Sequence, residues 1–115
     1  MGNEKPVRGE IWDVNLDPAL GHEQGGRRPV LVVSVDQFNQ GPSGLVIVVP
    51  ITSKDKRIRS QVAIEAGEGG LNTRSFAMCE AVRSVSLERL SGRRGVVSPE
   101  TMAKVAYCLQ VLLGI

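Results

Sequence analysis

The stretch GHEQGGRRPVLVV, residues 21–33, sets His22, Glu23, Gln24, Arg27 and Arg28 in a glycine-rich run that ends at a proline and an aliphatic segment. Each residue type has a chemical use. The two guanidinium groups are planar, permanently charged forks that match phosphate oxygens. The glycines leave backbone N–H groups open to an anion. Glu23 and His22 are the proton-exchanging groups of the loop. Pro29 holds Arg28 in extended backbone and is tolerated at the first residue of a strand. Arg28 therefore belongs on a rigid rim, and the combination suits holding a phosphate.

A second group follows in PITSKDKRIR, residues 50–59. Thr52 and Ser53 carry hydroxyls, and Lys54, Lys56, Arg57 and Arg59 crowd into six residues with only Asp55 opposing them. The loop 37–44, QFNQGPSG, is short enough to make the strands on either side antiparallel neighbours. If the first ends at Asp36 opposite Leu45, Pro29 faces Thr52 and Arg28 faces Ser53. One planar guanidinium, two hydroxyls and a basic extension then share one end of a sheet. Such patches suit a phosphate-bearing partner; the alternative is a solvated loop that is merely basic. Arg27 with Arg28, and Arg93 with Arg94, form two further basic pairs.

The elements that must position these groups are mostly strands. EIWDVNL alternates, with Trp12, Val14 and Leu16 on one face and Asp13 and Asn15 on the other. PVLVVSVD and LVIVVPI are β-branched runs bounded by turn residues. QVAIEA and SFAMCEAV read as strands, and SGRRGVV as a turn into a final short strand. Ser98-Pro99-Glu100 is a helix start, with a capping serine, proline at the first position and an acid near the positive dipole end. Met102, Val105, Ala106, Leu109, Leu112 and Leu113 then form one apolar stripe that Gly114 ends. The pattern predicts a mainly β domain over 1–115 with a C-terminal helix, a small, partly open antiparallel barrel of SH3-like type.

Composition narrows the classes. With 115 residues the chain holds one modest core. Aromatics are 3%, so that core is aliphatic and an aromatic stacking platform for bases is disfavoured. Trp12 reads as core or interface. Cys79 and Cys108 stand in apolar contexts without CxxC or histidine neighbours, which predicts reduced core thiols of a cytosolic protein and no zinc. No signal peptide, membrane-spanning run or myristoylation pattern is apparent, so a cytoplasmic location is expected.

RGEIWDVNLDPALGHEQGGRRPVLVVS, VVPITS, CEAVRSVSLERL and the closing LLGI, in this order, resemble the MazF/PemK family of toxin endoribonucleases from bacterial toxin–antitoxin modules. The resemblance implies a PemK/CcdB-type barrel that forms a homodimer and cleaves single-stranded RNA at short sequences, without the ribosome, a metal or another cofactor. It implies a cognate MazE-like antitoxin whose disordered tail occupies the RNA groove, with operator DNA bound only through that complex. The family's arginine before the strand proline falls on Arg28, its threonine after the next strand on Thr52, and a loop glutamate used as a base in some members on Glu23. Gln24 falls where that loop contacts RNA. Ser53, Lys54, Lys56, Arg57, Arg59, Glu80 and Arg83 complete the expected RNA-binding set. Relatives often carry Glu-Gln where this chain has Glu80-Ala81, so an inherited target sequence does not follow.

RNA cleavage without a metal uses the substrate's 2′-OH as nucleophile, which agrees with the absence of any Ser/His/Asp arrangement. The protein must help deprotonate that hydroxyl, stabilise a crowded phosphorane and assist the departing 5′-oxygen. Arg28 suits charge stabilisation, and Thr52 and Ser53 suit hydrogen bonding to phosphate oxygens. Glu23 is a candidate base or an ion-pair partner that orients Arg27 or Arg28. His22 is a candidate acid or base, or a loop residue that contacts RNA without moving a proton. Thr52 has a simpler alternative as a hydroxyl capping a turn. Two other functions remain: a non-enzymatic barrel that binds nucleic acid or protein, and a gyrase poison of the CcdB type. Against the second, no tryptophan precedes the terminal Gly114-Ile115.

Overall fold

The computed structural model describes residues 5–16 and 26–115. Among these, seven strands run antiparallel: β1 (Glu10–Asn15), β2 (Arg27–Val32), β3 (Leu45–Thr52), β4 (Gln61–Ile64), β5 (Ser75–Met78), β6 (Arg83–Ser86) and β7 (Leu90–Val96). A short helix α1 (Asp36–Asn39), a long one, α2 (Pro99–Leu113), and three 3-10 turns complete the regular structure. The strand order is β4-β5-β3-β2-β1-β7, and β6 also pairs with β3. The two ends of that path, β4 and β7, do not pair, so the barrel is partly open, as the sequence predicts.

Strand β3 is the hub. It pairs with β2 through Val48–Pro50, with β6 through Leu45–Val48 and with β5 through Ile51 and Thr52. Both faces of the central strands are covered. Ile11, Leu31, Val49 and Ile51 face one cluster, which the helix residue Val105 joins. Trp12, Val14, Val30, Val32, Val46 and Val48 face the other. Burial on both faces explains why β2 and β3 read as continuous aliphatic runs, since neither face needs polar residues.

The register of β2 and β3 differs from the sequence expectation by one residue. Strand β2 stops at Val32, and Asp36 opens α1, its carboxylate accepting from the Arg8 backbone N–H at 2.8 Å. Buried Asn39 fixes the turn by donating to Ser34 O at 3.1 Å and Pro6 O at 3.3 Å. The N–H groups of Val33 and Ser34 both point at the Ile47 carbonyl, which leaves one residue over at the strand end. Val30 then pairs with Pro50, and Leu45 lies opposite Ser86 instead of Asp36. Continued to the rim, this register sets Arg28 across from Thr52 and Pro29 across from Ile51.

Two further expectations change. SFAMCEAV is a strand only to Met78, because Cys79–Ala81 turn as a 3-10 helix. SGRRGV is strand throughout, and its pairing with β1 shifts twice. Helix α2 starts at the predicted cap, where Ser98 Oγ accepts from Thr101 N at 3.2 Å, and Gly114 ends it with φ 71°. Its stripe is only partly core. Met102 and Leu109 pack inward, whereas Leu112 and Leu113 are exposed.

Candidate functional site

The rim where β2 begins beside the end of β3 opens into a pocket of about 360 Å³. Arg28, Pro29, Ile51, Thr52 and Ser53 of these two strand ends line it, together with a second wall of Leu71, Asn72, Thr73, Ser75 and Arg94. Arg28 is half-buried, held by a strand whose next residues are core. Thr52 is 6% exposed, and its Oγ1 accepts from Lys54 N at 3.2 Å. The threonine therefore does cap a turn. Its hydroxyl proton can still be donated to a ligand, because capping uses only a lone pair. Ser53 is exposed at the mouth.

The basic run leaves the pocket at Ser53. Gln61 braces it, accepting from Lys56 N at 2.9 Å and donating to Lys54 O at 3.1 Å, while Asp55 accepts from Arg57 N at 2.8 Å. Arg57 adopts the left-handed region, φ 56°. Lys54, Lys56, Arg57 and Arg59 are all exposed, so this braced turn presents four cations to solvent beside the pocket. Glu80 accepts from Ser60 Oγ at 2.6 Å and so ties the end of the same loop to the turn after β5. Arg83 sits farther along the sheet, on β6 opposite Val48. Neither Glu80 nor Arg83 lines the pocket. His22, Glu23 and Gln24 lie outside the described residues.

The opposite wall was not legible in the sequence as a site. Arg93 and Arg94 stand out as a basic pair, but they reach different partners. Arg93 Nη1 binds Glu10 Oε2 at 3.0 Å, and Glu10 also accepts from Trp12 Nε1 at 3.0 Å, a structural arrangement. Arg94 reaches the pocket. Asn72, Thr73 and Ser75 join it only through long-range packing, which no local pattern announces.

The described residues offer no activated thiol here. Burial, together with Cys108 beside it, pushes the Cys79 thiol up to about 12, so it stays protonated at neutral pH. Cys108 is half-buried and has Ser60 O at 3.6 Å.

The sequence and the fold have counterparts among known proteins. The family model described as PemK-like, MazF-like toxin of type II toxin–antitoxin system matches residues 7–113. The chain belongs to this family. It is 38% identical over 113 residues to the endoribonuclease MazF9 of Mycobacterium tuberculosis, covering 94% of this chain and 96% of that one. The crystal structure of MazF from Deinococcus radiodurans superposes with a TM-score of 0.87 at 32% identity, covering 98% and 100% of the two chains. A MazE–MazF structure from the same organism gives a TM-score of 0.80 at 31% identity, covering 98% and 99%.

Within this MazF/PemK fold, the two residues the resemblance singles out on strands, Arg28 and Thr52, line one pocket. The departure at Ala81 falls in the 3-10 turn beside Glu80, outside that pocket. No helix among the described residues is long and apolar enough to cross a membrane.

Proposed function

We propose that this MazF/PemK-family toxin is an endoribonuclease that cuts single-stranded RNA by attack of the substrate's own 2′-OH, leaving a 2′,3′-cyclic phosphate and a 5′-OH. One observation carries the reading: Arg28 and Thr52 come from adjacent strand ends and line one pocket. A scissile phosphate placed there receives the Arg28 fork as its charge partner and the Thr52 and Ser53 hydroxyls as donors. A guanidinium is a permanent donor and not a proton-transfer group, so the role of Arg28 is electrostatic. Glu23, on the loop leading to Arg28, is the candidate base for the 2′-OH, and His22 and Gln24 are RNA contacts of the same loop. Lys54, Lys56, Arg57 and Arg59 follow the backbone beyond the cleaved bond, with Glu80 and Arg83 as further contacts.

Each protomer of a homodimer would carry one such pocket. The exposed Val111, Leu112, Leu113 and Ile115 at the end of α2 are an apolar surface suited to a second copy. A MazE-like antitoxin would engage the basic surface, and operator DNA would be bound only by the toxin–antitoxin complex.

The test is incubation with a long unstructured RNA in excess EDTA, with the new ends mapped by primer extension. Wild type should cut at short, recurring sequences, and Arg28→Ala and Thr52→Ala should not. RNA binding without cutting would make the protein a non-enzymatic barrel. Loss of cleavage in EDTA, restored by Mg²⁺ or Mn²⁺, would refute the phosphorane clamp.

A further inference from the structure

Arg94 stands at a break in the β1–β7 ladder. Ile11 pairs with Gly95 and Trp12 with Arg93, so Arg94 is the extra residue of a bulge. Bulges re-aim a side chain that regular pairing would place elsewhere. Two glycines make the position possible. A Cβ on Gly70 would collide with the Arg94 carbonyl, and one on Gly95 would come within 2.8 Å of the Gly69 carbonyl carbon. The chain at Gly69–Gly70 thus presses onto β7 and delivers Leu71 and Asn72 to the pocket beside Arg94.

The guanidinium is oriented as well as placed. Its Nε donates to Asp13 Oδ1 at 2.9 Å, and the side chains of both partners are about one-third exposed, at 35% and 36%. No other hydrogen bond of Arg94's side chain occurs among the described residues, so both terminal Nη groups remain available to a ligand. Apolar groups also line this pocket: half-buried Pro29, with Ile51 and Leu71 at 1% and 4% exposure. A phosphate gains nothing from an apolar lining, whereas the flat face of a base can pack on the proline ring.

We propose that Arg94 reads a guanine base seated in this pocket, its Nη fork donating to guanine O6 and N7, next to the phosphate held by Arg28. An arginine fork fits that edge of guanine, while adenine presents an amino donor where O6 would be. Arg94 is then a specificity residue, and Asp13 its positioning residue. The inference rests on the RNA-cleaving reading for its biological meaning, but base binding can be measured without cleavage.

The probes are short 2′-O-methylated uridine oligonucleotides with a single guanine, 7-deazaguanine or adenine, titrated by fluorescence anisotropy. Wild type should bind the guanine probe about tenfold more tightly than the other two. Arg94→Gln and Arg94→Lys should bind all three alike, the lysine variant keeping the salt dependence of wild type because its charge is intact. Asp13→Asn should reduce the discrimination in part. Equal binding of the three probes by wild type, or a guanine preference that survives Arg94→Gln, overturns the proposal. RNA cleavage without guanine preference would remove this inference and leave the nuclease reading standing. Guanine preference in a protein that cuts no RNA would do the reverse.

Discussion

At the scale of single residues, the proposed chemistry depends on geometry more than on charge. Arg28 is fixed by Pro29 on one side and by the β1 ladder, where Val14 lies opposite it, on the other. A lysine there supplies a point charge but no planar fork. Arg28→Lys should therefore be nearly as damaging as Arg28→Ala, each lowering single-turnover cleavage by about 10²–10³-fold, the usual loss for one preorganised donor. Near wild-type turnover in the lysine variant would reduce Arg28 to a diffuse phosphate contact. Arg28 and Thr52 were legible because a proline and a strand end mark their positions locally. Arg94 was not, because its place depends on a bulge and on glycines 24 and 25 residues before it in the chain, Gly69 and Gly70, counting from Gly70 and Gly69 to Arg94.

Among the elements, the basic turn after β3 makes a separable contribution. Neutralising Lys54, Lys56, Arg57 and Arg59 together should weaken RNA binding and flatten the slope of log K against log salt by up to about 3. Single-turnover cleavage at saturating RNA should change little, because these side chains do not line the pocket. An unchanged salt slope would mean that the turn faces away from RNA. The start of α2 makes one pH-dependent contribution to stability. Burial pushes the Glu68 carboxyl up, but hydrogen bonds from Thr101 and Ser98, with Lys104 nearby, outweigh it and hold its pKa below the ordinary glutamate value. Because the folded pKa is the lower one, this stabilisation is present above the unfolded pKa and is lost as pH falls through the folded value. Glu68→Gln should thus lower stability in urea melts at neutral pH, with a gap that narrows in acid; a gap constant with pH would contradict the assignment. The strand register shows what a sequence cannot supply at this scale. Loop length gives the β2–β3 pairing, but the one-residue offset comes from buried Asn39 and the double use of the Ile47 carbonyl, which are tertiary facts.

For the whole molecule, the partly open barrel with one C-terminal helix follows from periodicity and turn residues, and the family match over 7–113 agrees with it. The sheet's closure order does not, since β3 has three partners and no local signal says so. Surface and partner belong together at this scale. An acidic, initially disordered antitoxin segment that folds on the basic turn and pocket should compete with RNA, each weakening the other's binding by the same factor. A stable ternary complex that keeps full nuclease activity would place the antitoxin elsewhere.

The central claim is that the attacking oxygen belongs to the substrate. The described residues hold no thiolate or relayed serine at the pocket, and Arg28, Thr52 and Ser53 are suited to hold a phosphate that is attacked from its own ribose. The most direct measurement replaces one ribose, the one just 5′ of the cleaved bond, with deoxyribose and follows product ends and binding in parallel. Cleavage at that bond should stop, while affinity falls only by the contacts of one hydroxyl, because phosphates and base edges supply most of the binding. Cleavage of the substituted oligonucleotide at the same bond, or a 5′-phosphate on the product, would mean that water or a protein group attacks, and the roles of Arg28, Thr52 and Glu23 would be wrong.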